Sequence, residues 1–124
     1  MNDKGKISAH FVLGDSGKPE FVEKQGRKHY RIDLSFDPAG EKGVQAVTFH
    51  LDANSYSDPV RVVQPQQGFT ERITSYGDFP VIAEYEADDF HTLTGTLGKL
   101  LRKGHPEASD NPDIAKAISD IVNH

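Results

Sequence analysis

Two tyrosines stand out for where they fall. Tyr56 lies in the polar loop of VTFHLDANSYSDPVRVV, residues 47–63, and Tyr76 stands just before the Gly-Asp turn of SYGDF, residues 75–79. Solubility favours polar residues in loops, so a ring there calls for a reason. Two rings held about 7 Å apart would sandwich one planar group, with each face in van der Waals contact. The competing reading is that one or both rings pack over the end of the core.

Other reactive patterns are sparse. The six histidines, at 10, 29, 50, 91, 105 and 124, include no i, i+4 pair of the kind that holds zinc on a helix. His50 and Asp52 share one face of a strand, where a metal or a base with its orienting carboxylate would fit. His91 beside Asp88 and Asp89 reads as a helix start. TGTLGK, residues 94–99, lacks the preceding strand and the full spacing of a phosphate loop. With no cysteine there is neither a disulfide nor a thiolate metal site. A non-enzymatic protein without cofactor or metal is expected.

The elements that must position the tyrosines are mostly strands. Ile7, Ala9, Phe11 and Leu13 alternate, as do Tyr30, Ile32, Leu34 and Phe36, with His29, Arg31, Asp33 and Ser35 on the opposite, wet side. Val47, Phe49 and Leu51 share one face of a strand that is fairly apolar on both. PVRVVQ, FTERIT and FPVIAEYE follow, separated by PQQG and by the second tyrosine loop. Short strands between turn signals predict a mainly β chain folded as an antiparallel sandwich. Its expected core is Phe11, Ile32, Leu34, Phe49, Leu51, Val62, Ile73 and Val81.

Strand direction alone brings the tyrosines together. If residues 44–85 are consecutive antiparallel strands, the loops holding Tyr56 and Tyr76 both emerge at one end. They then start about 10 Å apart when one strand intervenes.

The division expected is a sandwich over 1–88 and a helical extension over 89–124, packed together as a single domain. Phe90, Leu93, Leu97, Leu100 and Leu101 have helical spacing, with Asp88 or Asp89 as cap and Gly104 and Pro106 as stop. Gly95 and Gly98 each cost a helix about 1 kcal/mol relative to alanine, which keeps a strand through HTLTGTL open. The final segment is a clearer helix. Asn111 caps it, Pro112 takes its first turn, and Ile114, Ile118, Ile121 and Val122 form a stripe. That stripe packs on the chain's own core or on a partner.

The stretch 44–85 resembles a YEATS domain, particularly the prokaryotic branch. The tokens are a V-x-F-H-L strand, a loop with Ser55 and Tyr56, a Pro-x-Arg strand start, and Tyr76-Gly-x-Phe. The resemblance implies an immunoglobulin-like β-sandwich with one or two added C-terminal α-helices. It also implies a reader of acylated lysine, with rings from the two loops stacking on the acyl-amide. By position it assigns ligand contact to Ser55, Tyr56, Tyr76, Gly77 and Asp78. Asp52 occupies the place where the family usually has histidine, and the first loop is one residue longer. In such a site Asp52 would attract a basic peptide, so a basic or acylated peptide is the expected partner. Prokaryotic relatives point to signalling or defence.

The formal charge of −5 over 124 residues argues against an electrostatic grip on nucleic acid. No apolar run approaches a membrane span, and MNDKGKISAH lacks the core of a secretory signal, so a cytoplasmic protein is expected.

Overall fold

The computed structural model describes residues 5–124, which form eight strands and two α-helices. The strands are β1 (Lys6–Phe11), β2 (Phe21–Lys24), β3 (Arg27–Asp37), β4 (Val47–His50), β5 (Val60–Val63), β6 (Thr70–Ser75), β7 (Pro80–Glu86) and β8 (Phe90–Thr96); the helices are α1 (Leu97–Gly104) and α2 (Pro112–Val122). Every ladder is antiparallel, and the strands divide into two sheets that enclose one core.

The long strand β3 is the spine of the first sheet. β1 pairs with it from Lys6↔Asp37 to Phe11↔Ile32, and β2 from Phe21↔Tyr30 to Lys24↔Arg27. Ile32 and Tyr30 also pair with Ile73 and Ser75 of β6. β1 and β2 therefore lie end to end along one edge of β3, with β6 on the other. Gln25 and Gly26, at φ 54° and 77°, make the tight β2–β3 turn with the handedness that suits a twisted hairpin. The second sheet runs β5-β4-β7-β8. The chain crosses to the first sheet after β5, through a 3-10 turn at Pro65–Gln67, and returns after β6 through SYGDF.

Alternation works as expected along the central strands. Tyr30, Ile32, Leu34 and Phe36 of β3 are buried against Val47 and Phe49 of β4 and Val81, Ala83 and Tyr85 of β7, as members of one core. Seven of the eight expected core residues are buried; Val62 is not, at 56% exposed. Val63 takes its place, because the register sets Val63 opposite Val47 and Arg61 opposite Phe49. A one-residue shift exchanges the faces of a strand. Arg61 consequently points inward, where its Nη1 donates to Glu71 Oε2 of β6 at 2.6 Å and ties the two sheets along their β5–β6 side. Leu13 also leaves the expected pattern, being 40% exposed where the chain has already turned away from β1.

The opposite side is closed by the helices. Residues 90–96, given a helical spacing above with a strand left open, are β8, the outer strand of the second sheet. The expected boundary at 88/89 thus falls inside the β7–β8 hairpin, and Asp88 and Asp89 belong to its turn, where Ala87 N–H donates to Asp89 O. The helix begins only at Leu97. α1 lies against β1, where a Cβ on Gly104 would sit 2.3 Å from Ala9 O and His105 Nε2 accepts from Phe11 N–H at 2.9 Å. That bond, with Nδ1 beside Glu107 Oε2 at 3.0 Å, fixes the buried His105 in the Nδ1–H tautomer. α2 starts as expected, with Asn111 Oδ1 accepting from Asp113 and Ile114 N–H. Its stripe of Ile114, Ala117, Ile118 and Ile121 is buried in the chain's own core, and Tyr30 OH donates to Asp120. Among the described residues no helix is long and apolar enough to cross a membrane.

Candidate functional site

Both tyrosine loops open on one cleft of about 740 Å³ at the end of the sandwich where β4 finishes and β7 begins. Asp52, Ser55, Tyr56, Tyr76, Gly77 and Asp78 all line it. The direction argument is sufficient for this, since it needs only antiparallel order and short connections.

The first loop folds on Asp52. Its carbonyl accepts from Ser55 and Tyr56 N–H, both at 3.1 Å, while its carboxylate takes Ser55 Oγ–H at 2.7 Å and Asn54 N–H at 3.3 Å. Asp52 thereby shapes its own loop while lining the cleft. The turn delivers Tyr56 back over the sandwich. Its ring meets Phe79 edge-on at 5.6 Å, and its hydroxyl donates to Thr74 O at 2.7 Å. Tyr56 therefore forms part of the cleft floor.

The second loop is held by Ser75, whose hydroxyl donates to Gly77 O at 2.7 Å and accepts from Gly77 N–H at 3.2 Å. Gly77 permits a close approach: a Cβ there would lie a tight 3.1 Å from the backbone carbonyl carbon of His124. Tyr76 turns toward the β2–β3 hairpin, with His29 at 5.0 Å and the Arg27 guanidinium 4.8 Å above its ring. The ring contacts of the two tyrosines are thus made to Phe79 and His29. Asp78 turns away to accept from Gly98 N–H at 2.8 Å, supplying the first turn of α1 with a cap from a distant loop.

Sequence reading missed Lys24, His29, Arg61 and His124, which also line the cleft. The first two were within reach, because the Gln25-Gly26 turn must lie at the end where β6 finishes. Lys24 and Arg61 share the lining with the carboxylates of Asp52 and Asp78, and Arg61 is already paired with Glu71. His29 is held below the usual imidazole range, chiefly by burial and then by the charges of Lys24 and Arg27.

No protein-family model matches the chain, and no curated protein matches it significantly.

The catalytic alternatives separate in space. His50 pairs with Glu84 on the outer face of the second sheet, leaving Asp52 to its loop. His91 pairs with Glu41 at 3.2 Å and stacks on Tyr85. Among the described residues no group of three or more His, Asp or Glu is arranged to hold a metal. The strand denied above to TGTLGK is present as β8, yet the Gly98 N–H that a phosphate would need is taken by Asp78.

The tyrosines give the protein a defined alkaline limit. Burial pushes the Tyr56 hydroxyl up to about 12, partly offset by Ser75 and Arg61. Burial also raises Tyr30 and Tyr85, each assisted by its carboxylate partner, Asp120 or Glu41. A phenol whose folded pKa exceeds its unfolded value of about 10 contributes stability that is complete below pH ~10 and lost as pH rises through the folded value. Titration by tyrosinate absorbance should show incomplete phenol ionisation at pH 10.5, with Tyr56 still protonated, and denaturant midpoints should fall as pH rises from ~10 to ~12. Full ionisation at pH 10.5 with the fold intact would contradict this burial.

Proposed function

We propose that the chain is a non-enzymatic binding module whose cleft receives an acylated lysine side chain presented by a peptide. The observation that carries this reading is the convergence of residues 52–56 and 75–79 on a cleft of about 740 Å³, inside the range of roughly 300–1,000 Å³ usual for small-ligand sites. The floor offers the Tyr56 ring and the wall offers Tyr76. Ser55 Oγ gives its proton to Asp52 and so presents lone pairs to an amide N–H. An acylated lysine is neutral and planar, so it offers a flat face to the rings and an amide N–H to Ser55. The YEATS resemblance of residues 44–85 agrees with this chemistry and is the ground for reading the chain as a module of prokaryotic signalling or defence. The rival reading is a scaffold domain that docks a partner through its sandwich or C-terminal helix; the α2 stripe is buried in the chain's own core, which leaves the sandwich faces for it.

Calorimetric titration with acetylated, crotonylated and unmodified lysine peptides tests the proposal. The acylated peptides should bind and the unmodified one should not. Tyr76→Ala should weaken binding by about tenfold or more, since it removes a stacking wall worth roughly 0.5–1.5 kcal/mol beyond its area. Tyr56→Ala is a poor probe because that ring packs on Phe79, so Tyr56→Phe, which keeps the floor, is the matched control. Equal binding of all three peptides, or none, would reject the reading.

A further inference from the structure

A second hollow, of about 580 Å³, lies away from the cleft on the helical side of the sandwich, between β1, β8 and α1. Its apolar lining comes from Ile7, Leu93 and Leu100, and its cationic groups are Lys6 and Lys103. Asp37 is the one carboxylate in the lining, and its Oδ1 already accepts from Ala39 N–H at 2.8 Å. A cationic hollow in a chain of net charge −5 runs against the overall balance.

The backbone of β1 faces this hollow with hydrogen-bonding capacity to spare. Phe36 N–H donates to Phe69 O, toward β6, so the Ile7–Phe36 pair is not a hydrogen-bonded pair of the β1–β3 ladder. The N–H and C=O groups of Ile7, Ala9 and Phe11 consequently point away from β3. Phe11 N–H is taken by His105, Ala9 O is covered by Gly104, and Gly5 N–H is taken by Glu41 and Tyr85 OH. Among the described residues this leaves Ile7 N–H, Ile7 C=O and Ala9 N–H, two donors and one acceptor in a row. Such an edge pairs with an extended chain, and proteins usually guard it. Here α1 covers only its far end.

We propose that this groove binds an acidic, extended peptide segment by adding a short strand to β1. In an antiparallel pairing, the residue opposite Ile7 exchanges both backbone bonds with it and projects its side chain to the same face. An apolar residue there meets Leu93 and Leu100. Its two neighbours project the other way, where acidic side chains meet Lys6 and Lys103. Backbone bonds supply affinity and alternating side chains supply selectivity, as in other strand-addition sites.

The test uses the full chain, 15N-labelled, with a capped five-residue peptide alternating glutamate and valine, with valine at positions two and four. Amide shifts are expected at Ile7, Ala9, Leu93 and Thr94, weakening as salt is raised. Three comparisons decide the matter. A lysine–valine peptide should not bind, and the glutamate–valine peptide N-methylated at its valines should lose binding because the ladder donors are gone. Lys6→Glu combined with Lys103→Glu, both exposed and so compatible with folding, should weaken the parent peptide by roughly tenfold or more. Tyr76→Ala should leave this binding unchanged, which separates the groove from the acyl-lysine cleft. Absent shifts, equal binding of the lysine peptide, or undiminished binding of the N-methylated peptide would each overturn the proposal.

Discussion

Ile114→Ala and Ile121→Ala should each destabilise the protein by about 2–5 kcal/mol, the range for truncating a fully buried isoleucine. Both side chains are 0% exposed and belong to the same core as Ile32, Phe49 and Val81. The surroundings have little freedom to collapse into the space left behind. α2 is pinned at its start by the Asn111 cap and further along by the Tyr30–Asp120 hydrogen bond. Against a total stability of about 5–15 kcal/mol, either loss is a large share. A melting temperature lower by roughly 10 °C is expected for a chain of this length. Lys116→Ala, on the exposed face of the same helix, should change stability by less than about 0.5 kcal/mol despite its ion pair with Asp120. Removing residues 108–124 altogether should cost more than either isoleucine variant. If Ile114→Ala and Lys116→Ala melt alike, α2 is an appendage and the single core described above is wrong.

The alternating strands and the last helix were legible because their signals are local. Ile32, Leu34 and Phe36 declare their common face without reference to any other segment, and Asn111-Pro112 declares a helix start. Elements whose state depends on a distant partner were less readable. VRVV carries valine on both faces, so nothing within β5 decides between Val62 and Val63; the pairing with Val47 decides it. Phe90, Leu93 and Leu97 mimic a helical stripe, while the alternating Thr92, Thr94 and Thr96 suit a strand. The pairing of β8 with β7 from Pro80↔Thr96 to Glu86↔Phe90 settles that conflict.

The candidate site divides in the same way. Convergence of the two loops follows from strand direction and was readable. The fate of each side chain was not, because it rests on groups far along the chain: Thr74 and Phe79 for Tyr56, His29 and Arg27 for Tyr76, Gly98 for Asp78. Two residues assigned to ligand contact by resemblance, Asp52 and Asp78, use their carboxylates to hold the loops in shape. Their removal should therefore disturb the cleft indirectly, which is why the binding test above rests on Tyr76.

Gly104→Ala offers the most pointed test of how the helical side is closed. Considered as an isolated helix, the change is favourable, since alanine exceeds glycine by about 1 kcal/mol in helix propensity. The packing predicts the reverse sign. The new Cβ would lie 2.3 Å from Ala9 O, a backbone atom that no rotamer change can move. Relief requires α1 to retreat from β1, and His105, the next residue, must follow. Phe11 N–H then loses its buried acceptor. Overpacking costs about 1–3 kcal/mol, and stripping a buried donor costs about 1–3 more. A net loss of roughly 2–4 kcal/mol is expected after the propensity gain. Two measurements bear on it together: the denaturation midpoint should fall, and the Phe11 amide should exchange faster with solvent than those of the β4–β7 ladder. A stabilised Gly104→Ala variant with an unchanged Phe11 amide would mean that α1 does not touch β1, and that this side of the sandwich is closed by some other contact.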